Sequence, residues 1–245
     1  MSYFSRIQLD TAHPKAREAL LMAGAGDAYR EHQWLWRFFA ADAAAARDFL
    51  FRRIEPQGGQ PALVYTVSAR APLAPHPAWR VDTREYAPQV AVGQCLRFEL
   101  RANPGRSIRS DGGARSVRHD VVMHAKKQRM AANGVQHWKQ MQAETVDPTY
   151  EMVHSAVSDW LLGGDGKDGV AARNGFAVLD DSLQVDAYLQ HRFPRRGAEP
   201  IRLSTVDLSG VLQVQDAERF GKALLAGVGH GKAFGCGLLL VRRAD

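Results

Sequence analysis

Five glycines fall within the eleven residues Gly227 to Gly237 (GVGHGKAFGCG), between a stretch with helical spacing and the apolar run GLLLVR. Glycine accepts positive φ and lets a backbone come close to a ligand, so this helix-to-strand loop can line a phosphate with N–H groups. A turn-rich connection explains one or two glycines but hardly five. Lys232 adds a cation. The loop is not a Walker motif, because no Ser or Thr follows the lysine and the order is helix, loop, strand. A dinucleotide fingerprint fails too, since that loop follows a strand and opens a helix.

Elsewhere the chain alternates short strands with helices. Tyr3 to Leu9 has a period of two, Pro14 to Ala23 reads as a short helix, and Asp27 can cap a second helix running through Phe39. Asp48 to Ile54, Leu63 to Ser68 and Gln94 to Arg101 read as strands, which suggests a first ferredoxin-like βαββ unit. Tyr150 to Leu162 is helical. Gly175 to Leu179 and Val185 to His191 are expected to pair with each other, and Ile201 to Val214 alternates up to a break at Ser209 and Gly210. A helix capped by Asp216 and a buried strand from Gly237 to Arg242 complete a second half. The expected fold is α+β, two tandem ferredoxin-like domains over 1–110 and 111–245, the boundary falling loosely within 101–150.

Charge is uneven. Arg101 to Lys139 holds nine Lys or Arg against Asp111 and Asp120, so this segment carries +7 while the whole chain is formally +6. Such a stretch binds polyanions by releasing their condensed counterions, although charge alone weighs nucleic acid evenly against a merely solvated loop. Cys95 and Cys236 lie far apart with no paired spacing, arguing against a disulfide framework or zinc site. Neither a leader pattern nor a run of about 20 apolar residues is present, so a cytoplasmic chain with no membrane partner is expected.

In DAYREHQWLWRFF, Tyr29 and His32 are three residues apart and so neighbours on one helix face. A phenol beside an imidazole suits RNA cleavage by a ribose 2′-hydroxyl. One group takes the proton from the nucleophile, and another protonates the departing 5′-oxygen. Spacing does not say which does which, and an arbitrary Tyr-x-x-His more often just packs. Arg37 could reach a phosphate beside the pair and stabilise the phosphorane, or be an exposed helix cation. Leu35, Phe38 and Phe39 are assigned to core. No metal or cofactor is required.

Four motifs in order, Tyr29 to Phe39, Arg47 to Arg52 (RDFLFR), Phe98 to Pro104 (FELRANP) and Gly227 to Leu239, resemble those of the CasE endoribonucleases of type I-E CRISPR systems. The resemblance spans nearly the whole chain. It implies two RRM-related domains that bind the CRISPR repeat hairpin and cut at its 3′ base without a metal. The products would be a 5′-hydroxyl and a 2′,3′-cyclic or 3′ phosphate, and the protein would stay on its product as a subunit of the Cascade complex. His32 and Tyr29 match the family's catalytic pair, and Arg37 stands where a lysine can be found. The resemblance also implies RNA contacts by Gly229, His230, Gly231 and Lys232, and along the stem by Arg106, Arg109, Arg115, Arg118, Lys126, Lys127 and Arg129. A non-catalytic RNA-binding or assembly subunit of the same complex is the alternative.

Overall fold

The computed structural model describes residues 1–23, 28–39, 48–55, 61–109, 116–141, 148–164, 166–179, 181–195 and 198–244. The first half begins with β1 (Tyr3–Leu9), α1 (Ala16–Ala23) and α2 (Ala28–Leu35), followed by β2 (Phe49–Ile54), β3 (Leu63–Ser68) and β4 (Trp79–Glu85). These strands form an antiparallel sheet in the order β2-β3-β1-β4. The period-two pattern decides what faces what. Ile7, Leu9, Phe49 and Phe51 meet Trp34, Leu35, Phe38 and Phe39 in one core. α2 stops short of Phe39, because residues Trp36–Phe38 tighten into a 3-10 turn, closed by Phe39 N–H donating to the Trp36 carbonyl at 3.1 Å. The tighter turn seats Phe38 in the core and lets Phe39 stack on Phe49, 4.5 Å between ring centres. The proposed cap, Asp27, lies outside the described residues.

The second half contains β5 (Cys95–Ala102), a hairpin of β6 (Gly105–Arg109) and β7 (Ser116–Asp120), α3 (Val121–Ala132) and α4 (Pro148–Leu162). The two-residue strands β8 (Gly163–Gly164) and β9 (Lys167–Asp168), the short α5 (Val170–Arg173) and β10 (Phe176–Val178) follow. β11 (Gln184–Arg195), β12 (Ala198–Val214), α6 (Ala217–Ala226) and β13 (Leu239–Arg243) complete it. Its sheet runs β10-β12-β5-β13, with β11 also on β12. Three expectations are corrected. The strand expected at Gln94 to Arg101 lies in this second sheet, between β12 and β13, and not in the first unit. The two strands expected to pair with each other both pair with β12, one after the other along the same edge. β12 also runs unbroken through Ser209 and Gly210, because Gly210 is where one edge partner gives way to the next. A Cβ there would lie 2.8 Å from the Ser182 carbonyl, where Ser182 crosses over to hydrogen-bond Val211. Asp216 caps α6 as expected, its carboxylate accepting from Arg219 N–H at 3.0 Å.

Both sheets place their strands in the order second, third, first, fourth when β5, β10 with β11, β12 and β13 are counted as the second set. α6 joins third to fourth in the second half, whereas residues 69–78 do so in the first without a helix. The halves meet through Leu50, Val67 and Leu238, flanked by Phe4, Tyr65, Tyr86 and Leu240. Arg52 is buried in this interface. Its guanidinium sits 3.8 Å from Asp207 and 3.9 Å from Glu99, and Arg101 grips Asp207 with two bonds of 2.8 Å. A buried cation stripped of its counter-charge is costly, so Asp207→Asn should lower unfolding stability by about 3 kcal/mol in urea titrations.

Candidate active site and nucleic-acid interface

α2 places Tyr29 one turn before His32. The His32 ring lies over Phe51 (6.3 Å between centres, 17° between planes) and beside Phe49 and Trp36 at 5.8 and 6.1 Å. Aromatic walls on several sides restrict the imidazole to few rotamers. Glu31 is anchored beside it by Arg53 at 3.1 Å; burial pushes its carboxyl above the usual range, an effect that Arg53 partly offsets. Arg37 is exposed on the 3-10 turn five residues after His32, with no ion pair among the described residues. It therefore does not share the Tyr29 and His32 stripe.

The glycine-rich loop docks against this helix. Its 3-10 turn, Lys232–Phe234, packs on α2 and on β2, and Gly235 approaches the Phe51 ring, where a Cβ would sit 3.2 Å from a ring carbon. All five glycines have φ between +72° and +91°. Five of the loop's amides are used within the protein: Gly227 N–H bonds the Ala223 carbonyl, Val228 N–H the Gly237 carbonyl, Phe234 and Cys236 N–H the Gly231 carbonyl, and Gly237 N–H the Arg101 carbonyl. Lys232 folds back, its ammonium donating to the Ala226 carbonyl at the end of α6 at 2.6 Å. Phe234 stacks on Phe193, which stacks on His191. Burial pushes the His191 imidazole down, and nearby Arg101 acts in the same direction.

The basic segment is partly built into this site. The β6–β7 hairpin carries Arg106 and Arg118 exposed, and the Arg118 guanidinium lies against the backbone of Gly105 and donates to Asn103 Oδ1 at 3.0 Å. Asn103 forms an antiparallel bridge with His230. The His230 imidazole is held below its ordinary value, first by burial and then by the charges of Arg118 and Lys232. Arg118, His230 and Lys232 thus converge. Arg106 instead lines a shallow recess with His119, His124 and Asp159. Lys126 lies over the Trp138 ring at 5.2 Å, and Lys127 and Arg129 are exposed along α3, a helix that packs on α4. Arg109 closes β6, and Arg115 lies outside the described residues.

Sequence reasoning passed over the polar network beneath the hairpin. Asp120 caps α3 by accepting from Met123 N–H at 2.7 Å, and it also accepts from Ser204 Oγ and, at 3.0 Å, from the Tyr188 hydroxyl. Burial pushes the Tyr188 phenol up to about 12, so it stays a donor. An Asp directly before VVMHAKKQRM was a legible cap signal, masked by reading the segment for charge alone.

A family model described as CRISPR associated protein matches residues 2–243. The chain belongs to that family. Both sheets and the loop between α6 and β13 fall within the CRISPR-associated unit. Among characterised relatives, the CRISPR system Cascade subunit CasE of Escherichia coli is 29% identical over 87% of this chain and 90% of its own. The CRISPR-associated endoribonuclease Cse3 of Thermus thermophilus is 25% identical over 98% and 99%. A solved structure of Thermus thermophilus Cse3 bound to an RNA representing a pre-cleavage complex has the same fold, with a TM-score of 0.62 at 22% identity over 98% of each chain. Among the described residues of this CRISPR-associated protein, no helix is long and apolar enough to cross a membrane.

Proposed function

We propose that the chain is a cytoplasmic, metal-independent endoribonuclease that cuts CRISPR precursor RNA at the base of the repeat hairpin and stays on its product as a Cascade subunit. The observation that carries this reading is the docking of the glycine-rich loop on the helix that bears Tyr29 and His32, with His230 of the loop bridged to Asn103, which holds Arg118. The names of the two relatives point the same way. The repeated strand order supports the reading of two ferredoxin-like domains, and the pairing of β5 with β12 and β13 favours a boundary ahead of Cys95 over one within 101–150.

Chemically, a phosphate held at the loop lets the adjacent 2′-hydroxyl attack phosphorus, breaking the bond to the 5′-oxygen. His32 takes the 2′-hydroxyl proton or supplies the one that the departing 5′-oxygen needs, water carries the other, Tyr29 helps activate or orient the 2′-hydroxyl, and Arg37 with the loop cations stabilises the phosphorane. A stem of A-form RNA hides its bases in a deep groove, so shape and phosphates would guide docking. The test is incubation of the purified protein with an end-labelled repeat hairpin in EDTA. A single cut with a 5′-hydroxyl and a cyclic phosphate is expected; intact RNA with tight binding would favour the non-catalytic subunit instead.

His230 adds a pH signature. Because its folded-state affinity for a proton is depressed, the free protein holds it neutral at pH 7, and protonation would cost folding stability as pH falls. Bound phosphates would offset Arg118 and Lys232 and favour the imidazolium. Hairpin affinity should therefore rise between pH 7.5 and pH 5.5, by several-fold more than in His230→Gln, as measured by titration at constant ionic strength.

A further inference from the structure

We propose that Asn103 is a positioning residue for this RNA, which ties the basic hairpin to the glycine-rich loop and aims Arg118 at a phosphate next to the cleavage site. The inference rests on the endoribonuclease reading above. Asn103 leaves the end of β5 just before the hairpin, and both ends of its amide are engaged: Nδ2 donates to the Ser204 carbonyl on β12 at 2.7 Å, and Oδ1 accepts from Arg118 at 3.0 Å. Its backbone bridges His230, and a Cβ on Gly231 would lie 3.1 Å from the Asn103 Cβ, so loop and junction are in close contact. Ser204 is itself fixed through Asp120, the cap of α3, to which Tyr188 also donates. One amide thus joins β12, the hairpin and the loop.

The chemistry of the partner matters. Arg118 makes no ion pair among the described residues, and its described hydrogen bond is to a neutral amide. A carboxylate in place of Asn103 would hold the guanidinium equally well but cancel its charge. An amide orients the fork and leaves the full positive charge for a phosphate. The depressed proton affinity of His230, caused in part by Arg118, places that charge at the loop.

The test uses Asn103→Ala, Arg118→Met, the double variant, and Gly105→Ala in the whole protein with the labelled repeat hairpin. A Cβ on Gly105 would fall 2.5 Å from Arg118 Nε, the far end of a flexible side chain, so this change displaces Arg118 without touching the Asn103 bond to Ser204. Both Asn103→Ala and Gly105→Ala are expected to flatten the salt dependence of binding by about one phosphate contact, to weaken binding several-fold at low salt and to slow single-turnover cutting. The double variant should be no worse than Arg118→Met alone. Effects that multiply in the double variant, or an unchanged salt slope in Gly105→Ala, would overturn the proposal. So would an Asn103→Ala protein that only melts earlier while binding and cutting normally. Failure of the wild type to cut would count against the nuclease reading, whereas the salt slopes test the positioning role independently.

Discussion

His32→Ala should slow cleavage of the repeat hairpin by about 10²- to 10⁴-fold, the usual worth of a positioned proton-transfer group. Binding should change less than about twofold, because the loop and hairpin cations lie elsewhere in sequence and alanine is the best helix former. The imidazole packs against Phe49, Phe51 and Trp36, so its removal leaves a partly lined gap beside the strand. A cost of about 1 kcal/mol in folding stability accompanies the change, small enough for the protein to be assayed folded. Single-turnover kinetics at saturating protein separate the two effects: a lost rate with an unchanged dissociation constant places the chemistry on α2. A rate within threefold of wild type would move it off that helix, and Tyr29→Phe under the same conditions would then have no reason to act. Tyr29→Phe itself should cost less than His32→Ala, since a water can replace one hydroxyl more readily than a group that titrates near neutrality.

Where a pattern is local, the sequence was a faithful guide. β1, β3 and α4 follow the apolar spacing to within two residues, and the Asp216 cap is present as drawn. Leu35, Phe38 and Phe39 are buried as assigned. What failed was sheet membership. The alternation of Cys95 to Ala102 says that one face is buried, but not against which half of the molecule, and only long-range pairing with β12 and β13 settles that. β4 has no clean period in the sequence because only its first residue, Trp79, is buried. The site divides along the same line. The glycine density marked the loop, and the Tyr29 to His32 spacing marked the helix; the contact between them, made through Phe51 and the Lys232–Phe234 turn, joins residues nearly two hundred positions apart. Asn103 lies in the FELRANP stretch, where local sequence gives it no role, because its three partners, Ser204, Arg118 and His230, come from three separate segments.

Gly237→Val should be the most damaging single change in the loop. Gly237 has φ +91°, where a β-branched residue is strained, and a Cβ there would lie 2.8 Å from the Val228 carbonyl oxygen. Neither obstacle can relax cheaply. Val228 N–H is bonded to the Gly237 carbonyl and Gly237 N–H to the Arg101 carbonyl at 2.7 Å, so moving the backbone breaks the ties that hold the loop to β5. Strain and steric conflict together should cost about 3 kcal/mol of stability. The larger loss falls on activity, because the Lys232–Phe234 turn can no longer rest against α2, and cutting should drop at least as far as in His32→Ala. Gly221→Ala is the matched control. Gly221 lies inside α6 with nothing within 4 Å of a new Cβ, so a Cβ added there should raise stability by about 0.5–1 kcal/mol and leave cleavage unchanged. Thermal melts and single-turnover rates on the two variants read both quantities. If Gly237→Val cut RNA normally while melting early, the loop would be a structural connection and the docking of its turn on the Tyr29 and His32 helix incidental to catalysis.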